Sequence, residues 1–195
     1  MSEPVKIVIP DAGPINTLAA AGLLHLLLVS LNTEIFLIRS VLEEIVVRSP
    51  ELKAFIDANA DRIKIFDTSV CIDDKAKTER GETLGKGRGD LAIADFLLNY
   101  IDDLIGRSPG LLITEDRKLL RRLTSVKTFE KNTHFITTAA YLRKLAEEKI
   151  IRSFDEIWRL IVDKNASLDP AIDRKPSPED VEVPTIRRST IFRLK

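Results

Sequence analysis

Asp11, Glu44, Asp90 and Asp116 share a setting, because each stands just after a short apolar run or on the first turns of the helical pattern that follows one. Two like charges about 4 Å apart repel by roughly 4 kcal/mol at an effective dielectric near 20, so carboxylates brought together need a cation or raised pKa values. An all-oxygen donor set suits the hard divalent ions Mg²⁺ and Mn²⁺. The chemistry on offer is hydrolysis by metal-activated water, which needs no attacking side chain.

Few other groups could act. His25 and His134 are the only histidines and both are read as structural, so no Cys/His zinc site can be assembled. Cys71 is the single cysteine, flanked by Val70 and Ile72. It permits no internal disulfide, fits a reducing, cytoplasmic setting, and is read as a small core or loop residue.

The elements that must position the acids follow from periodicity. Apolar or β-branched runs at 5–9, 34–38, 62–66 and 111–114 are each followed by a helical pattern, and NTHFITT around His134 is strand-like. Strands alternating with helices predict a parallel sheet covered on both faces, a three-layer α/β/α sandwich with its strand C-termini on one edge. Ligands bind there, at the switch in strand order.

The acids divide into stronger and weaker candidates. Asp11 ends the first strand, with Pro14 suited to the next helix's first turn and Gly22 splitting two short helices; helix N-cap is its bland role. Ser40 and Glu43 have capping-box spacing, which leaves Glu44 favoured over Glu43 as the ligand. Asp90 opens a strongly apolar helix, and Asp95 lies about 140° round it, too far to share an ion, so a rim position or subunit contact is expected for Asp95. Asp116 follows the fourth strand in a T-x-D sequence behind Thr114, with Glu115 in reserve.

Lys plus Arg and Asp plus Glu number 30 each, so no overall field points to a polyanion or against one. The mixed-charge stretch from Cys71 to Gly89 is read as a solvated loop, in which Lys86 and Arg88 are the candidates for contacting substrate phosphates. The apolar stretch 15–31 is interrupted by Asn16, Gly22, His25 and Ser30 and is too short for a membrane span, and the opening MSEPVK does not read as a signal peptide. Ser153 and Glu156 form a second capping box, with Trp158 as a packing residue. One domain over 1–164 is expected, followed over 165–195 by an extended arm that is proline-punctuated and then basic at Arg187, Arg188, Arg193 and Lys195. The arm is read either as a mobile tail or as a strand added to a partner or laid along nucleic acid.

Taken in order, IPDAGPINTLA, VLEEIV, GRGDLAIAD and LLITEDRKLL resemble the motifs of the PIN-domain family, including ribonuclease toxins of toxin–antitoxin systems. The resemblance covers roughly residues 5–165, with Ala12 where many relatives carry Thr or Ser and Asp95 where a small apolar residue is usual. It implies a Mg²⁺- or Mn²⁺-dependent endoribonuclease leaving a 5′-phosphate and a 3′-hydroxyl, often a homodimer, with an antitoxin as a further partner. Asp11, Glu44, Asp90 and Asp116 carry over as ligands and Thr114 as a supporting hydroxyl, Glu44 orienting water if it does not ligate. A PIN-like scaffold without turnover is the alternative. A phosphotransfer domain using Asp11 as nucleophile is disfavoured, because no second Asp stands two residues on and no suitable Lys is in place.

Overall fold

A computed structural model describes residues 7–28, 33–46, 50–116, 118–121 and 133–165. Five short strands, β1 (Ile7–Pro10), β2 (Glu34–Ile38), β3 (Ile63–Phe66), β4 (Gly110–Ile113) and β5 (Thr133–Ile136), form one parallel sheet in the order β3-β2-β1-β4-β5. The chain is therefore of the α/β class. The four expected strands are present within one or two residues, and the NTHFITT stretch supplies the fifth.

Helices fill the connections. They are α1 (Ala12–Ala20), α2 (Arg39–Val46), α3 (Pro50–Ala58), α4 (Ser69–Glu79), α5 (Arg88–Asn99), α6 (Ile101–Ile105), α7 (Thr138–Glu147) and α8 (Phe154–Asn165), with a 3-10 turn at Leu24–Leu28 and helical residues 118–121. Gly22, at φ +70°, makes the break between α1 and the 3-10 turn, a conformation an L side chain rarely adopts. Strands β4 and β5 are buried along their whole length and β2 at all but its first residue, as expected of parallel strands covered on both faces. Phe36, Phe66, Phe96 and Tyr100 pack ring against ring where α5 crosses β2 and β3. Tyr141 of α7 is wholly buried and donates its hydroxyl to Leu26 O at 2.6 Å, tying α7 to the 3-10 turn.

Several expectations change. The stretch from Cys71 to Gly89 is not a loop throughout, because its first nine residues belong to α4, where Cys71 and Asp74 are buried, and its last two to α5; residues 78–87 run exposed. The box expected at Ser40 does not form: α2 begins one residue earlier, at Arg39, and the Ser40 hydroxyl lies 3.2 Å from Cys71 Sγ. Cys71 is accordingly a buried helix residue, with the Thr68 hydroxyl 3.3 Å from its sulfur. Ser153 does accept from Glu156 N at the start of α8, and Trp158 stacks on Phe154. The proposed arm lies outside the described residues from 166 onward, as does the start of the first expected strand.

Candidate active site at the β1/β4 switch

Strand order runs outward in opposite directions from β1 and β4, which makes their shared C-terminal edge the switch point of the sheet. Pro10 is opposite Ile113 in the last paired register, and Asp11 N then donates to Ile113 O at 3.0 Å. Asp11 and Thr114 are thereby fixed side by side. The Thr114 hydroxyl donates to Asp11 Oδ2 at 2.9 Å and accepts from Asp116 N at 3.0 Å. One fully buried hydroxyl thus links residues 103 positions apart and sets the backbone that carries Asp116.

Each acid near this edge also serves a helix start. Asp11 Oδ1 accepts from Ala12 N at 2.7 Å as N-cap of α1. Asp116 Oδ1 accepts from Lys118 N and Leu119 N at 2.6 and 3.0 Å, capping the helical residues 118–121. Glu115, held in reserve as a ligand, is engaged elsewhere: its Oε1 accepts from Thr138 N at 2.8 Å at the start of α7. Glu44 reaches from α2 to the first turn of α5, where its carboxylate accepts from the Gly89 N–H. A Cβ on Gly89 would stand 3.1 Å from Glu44 Oε1, so glycine is what permits that approach. Asp90 lies in the same first turn, with Oδ2 4.0 Å from the place of a Cβ on Gly87. Helix N-termini favour carboxylates by roughly 0.3–1 kcal/mol each, so capping offsets part of the repulsion.

The offset is incomplete. Burial pushes the Asp11 carboxyl above its ordinary range, against the hydrogen bonds from Ala12 and Thr114, and the charge of Asp116 adds to the rise. Glu44 is exposed as a residue, yet partial burial of its carboxyl end raises it too, with Asp11 and Asp90 adding to the rise and the Gly89 bond opposing it. Asp116, Asp11, Glu44 and Asp90 are thus linked by mutual repulsion. Among the described residues no Lys or Arg forms an ion pair with Asp11, Glu44 or Asp116.

This donor chemistry fits a hard cation: oxygen ligands, partial burial and excess negative charge. Among the described residues no three His, Cys, Asp or Glu side chains stand in an arrangement that could hold an ion. Asp11, Glu44 and Asp116 each accept from a backbone N–H at a helix start.

The remaining candidates are placed differently. Arg88 forms ion pairs with Asp74 and, at 3.6 Å, with Asp73 on α4, while Lys86 is exposed in the turn before α5. Asp95 needs no subunit contact to account for it. Its Oδ2 accepts from Ser69 Oγ at 2.6 Å and Val70 N at 3.2 Å, and its Oδ1 from Asn99 Nδ2 at 2.7 Å, which fastens the start of α4 to α5. His134 is buried on β5, and burial lowers its pKa, which keeps it neutral. Sequence reading passed over Asp67, which follows β3 as Asp11 follows β1, and over Arg39, which follows β2. The two form a bidentate pair, Nη2 to Oδ2 at 2.9 Å with Nε against Oδ1. The signal was there, in acids and a base each placed directly after an apolar strand.

The chain matches no protein-family profile, no curated protein and no solved structure. No helix among the described residues is long and apolar enough to cross a membrane.

Proposed function

We propose that this chain is a metal-dependent endoribonuclease of the PIN type, with Asp11, Asp90, Asp116 and Glu44 as the residues that would hold Mg²⁺ or Mn²⁺. The observation that carries the reading is the Asp11–Thr114–Asp116 linkage at the switch point, where a partly buried carboxylate is held next to a second acid and, among the described residues, no basic side chain forms an ion pair with either. Such an arrangement costs stability in the free chain and is relieved by a cation. When bound, a hard divalent ion supplies Lewis-acid polarisation of a phosphodiester and acidifies water. The protein's part is to fix Asp11 and Asp116 through Thr114, and to hold Glu44 against Gly89, where it orients water if it does not ligate. The three-layer sandwich belongs to the same reading, since right-handed crossovers running out in opposite directions from β1 and β4 put helices on opposite faces of the sheet. A role as the toxin of a toxin–antitoxin pair, and a homodimeric state, rest on the motif resemblance alone.

The second reading, a PIN-like scaffold without turnover, is favoured by one observation: Asp11, Glu44 and Asp116 each already accept a backbone N–H at a helix start. Cleavage of end-labelled single-stranded RNA with Mn²⁺, Mg²⁺ or EDTA separates the two. Cutting that needs the ion and is lost in Asp11→Asn and Asp116→Asn supports the enzyme. Ion binding and RNA binding without cutting supports the scaffold.

A further inference from the structure

The C-terminal edge of the sheet carries one arginine directly at a strand end. Arg39 is the first residue after β2, and in the parallel register it stands one position past the point opposite Asp11. Neighbouring strands are about 4.8 Å apart, so the Arg39–Asp67 pair, spanning the ends of β2 and β3, lies between one and two strand steps from Asp11. A chain of phosphates crossing the carboxylate site along this edge passes over it.

The pair is also open. The side chains of Arg39 and Asp67 are 40% and 44% exposed, and an ion pair in that setting contributes only about 0–1 kcal/mol. A second arginine among the described residues is held differently: Arg88 is 21% exposed and its main partner, Asp74, is 9% exposed, so releasing it would leave a buried carboxylate without its cation. Arg39 can leave Asp67 to water at little cost. Its planar fork, now matched to a carboxylate at two points, matches two oxygens of a phosphodiester equally well. The same helix, α2, begins with Arg39 and carries Glu44 five residues later, so contact at the first is transmitted rigidly to the second.

We infer that Arg39 is a substrate-phosphate contact, held by Asp67 in the free protein and handed to a backbone phosphate of a nucleic-acid strand lying along the β2–β1–β4 edge. Asp67 is then a competitor for the arginine, which keeps the site from retaining polyanions. The inference rests on the nuclease reading for its substrate class, but makes its own demand: the two partners of one ion pair must act in opposite directions.

The test is binding of a short single-stranded RNA of mixed sequence to the full chain in EDTA, across a salt series, for wild type, Arg39→Ala, Arg39→Lys and Asp67→Asn, with cleavage in Mn²⁺ measured on the same preparations. Arg39→Ala is expected to weaken binding roughly threefold to tenfold and to lower the salt slope by about one. Arg39→Lys, which keeps the charge and loses the fork, falls between. Asp67→Asn frees the arginine and is expected to tighten binding. Both Arg39→Ala and Asp67→Asn break the same ion pair, so a merely structural role moves both in the same direction and overturns the inference. Unchanged binding by Arg39→Ala in a preparation whose wild type cuts RNA overturns this inference and leaves the nuclease reading standing. A wild type that neither binds nor cuts overturns both.

Discussion

The sheet edge holds two acids, Asp11 and Asp67, each placed directly after a strand and treated in opposite ways. On the β1/β4 side, Asp11 follows a strand, with Asp116, Glu44 and Asp90 grouped round it, and the carboxyls of Asp11 and Glu44 are pushed above their ordinary range. On the β2/β3 side, Asp67 also follows a strand, but the Arg39 guanidinium holds it below that range. Burial acts to raise Asp95 as it does Asp11, yet the hydrogen bonds from Ser69, Asn99 and Val70 outweigh it and leave Asp95 lowered. Position after a strand therefore does not decide which way an acid is shifted; the supply of cations and donors does. Where a fold leaves carboxylates under-served, something outside the chain is the natural counterpart.

The largest effect that would break this contrast belongs to Asp11. Asparagine caps a helix as well as aspartate, so Asp11→Asn keeps α1 while removing the charge and turning an amide NH2 toward the Thr114 hydroxyl. Metal-dependent RNA cleavage is expected to fall by more than about a hundredfold, since even outer-shell losses reach roughly 10–100-fold. Cleavage at the wild-type rate would reduce Asp11 to a cap and erase the difference between the two sides.

Thr114→Val comes next. The substitution leaves Asp11 Oδ2 and Asp116 N without the hydroxyl they share, in a buried place. Unfolding in urea should show a loss of about 1–3 kcal/mol, and calorimetry an affinity for Mn²⁺ lower by roughly 10–100-fold. A loss of stability with unchanged affinity would assign Thr114 to the fold alone.

On the other side, Asp95→Ala removes an acceptor for Ser69, Val70 and Asn99 together. A cost of about 1–2 kcal/mol is expected in urea unfolding, with the rate of cleavage per folded molecule unchanged. A large change in cleavage would mean that the α4–α5 contact made by Asp95 is not merely structural.

How much of this could be read from sequence follows the same division. The strands were legible because short apolar runs before helical patterns have few other uses, and Asp11, Glu44 and Asp116 could be singled out by their place relative to those runs; Asp90 could not, because α5 follows α4 and an exposed stretch instead of a strand. What the sequence hid were partners across long gaps: Thr138 for Glu115, Gly89 for Glu44, Ser69 for Asp95 and Arg39 for Asp67. None of these pairs has a periodic signature, since each depends on how two loops meet after the sheet is built. The capping box at Ser40 failed for a related reason. Burying Cys71 beneath α2 gave the Ser40 hydroxyl a partner in the core, which local spacing cannot reveal.

The smallest effect, and the one that sharpens the contrast furthest, is in the pH dependence of stability. Asp95 has a folded pKa below its unfolded value, so its stabilising contribution is present above the unfolded value, near pH 4, and is lost as pH falls through the folded pKa. Asp11 has the opposite sign. Its folded pKa is raised, so between the two values the folded state holds more protons than the unfolded one; stability falls as pH rises through that window and the deficit persists above it. At neutral pH, in EDTA, Asp95→Asn should therefore be less stable than wild type and Asp11→Asn more stable, by urea unfolding. At a pH low enough to protonate Asp11 in both states, the gain from Asp11→Asn should vanish. Mn²⁺ should reverse the order of Asp11→Asn and wild type at neutral pH, because an ion bound to the folded state stabilises only the chain that retains the ligand. If Mn²⁺ raises the stability of both equally, the ion binds elsewhere, and the charge at the β1/β4 switch is answered by the helix starts alone.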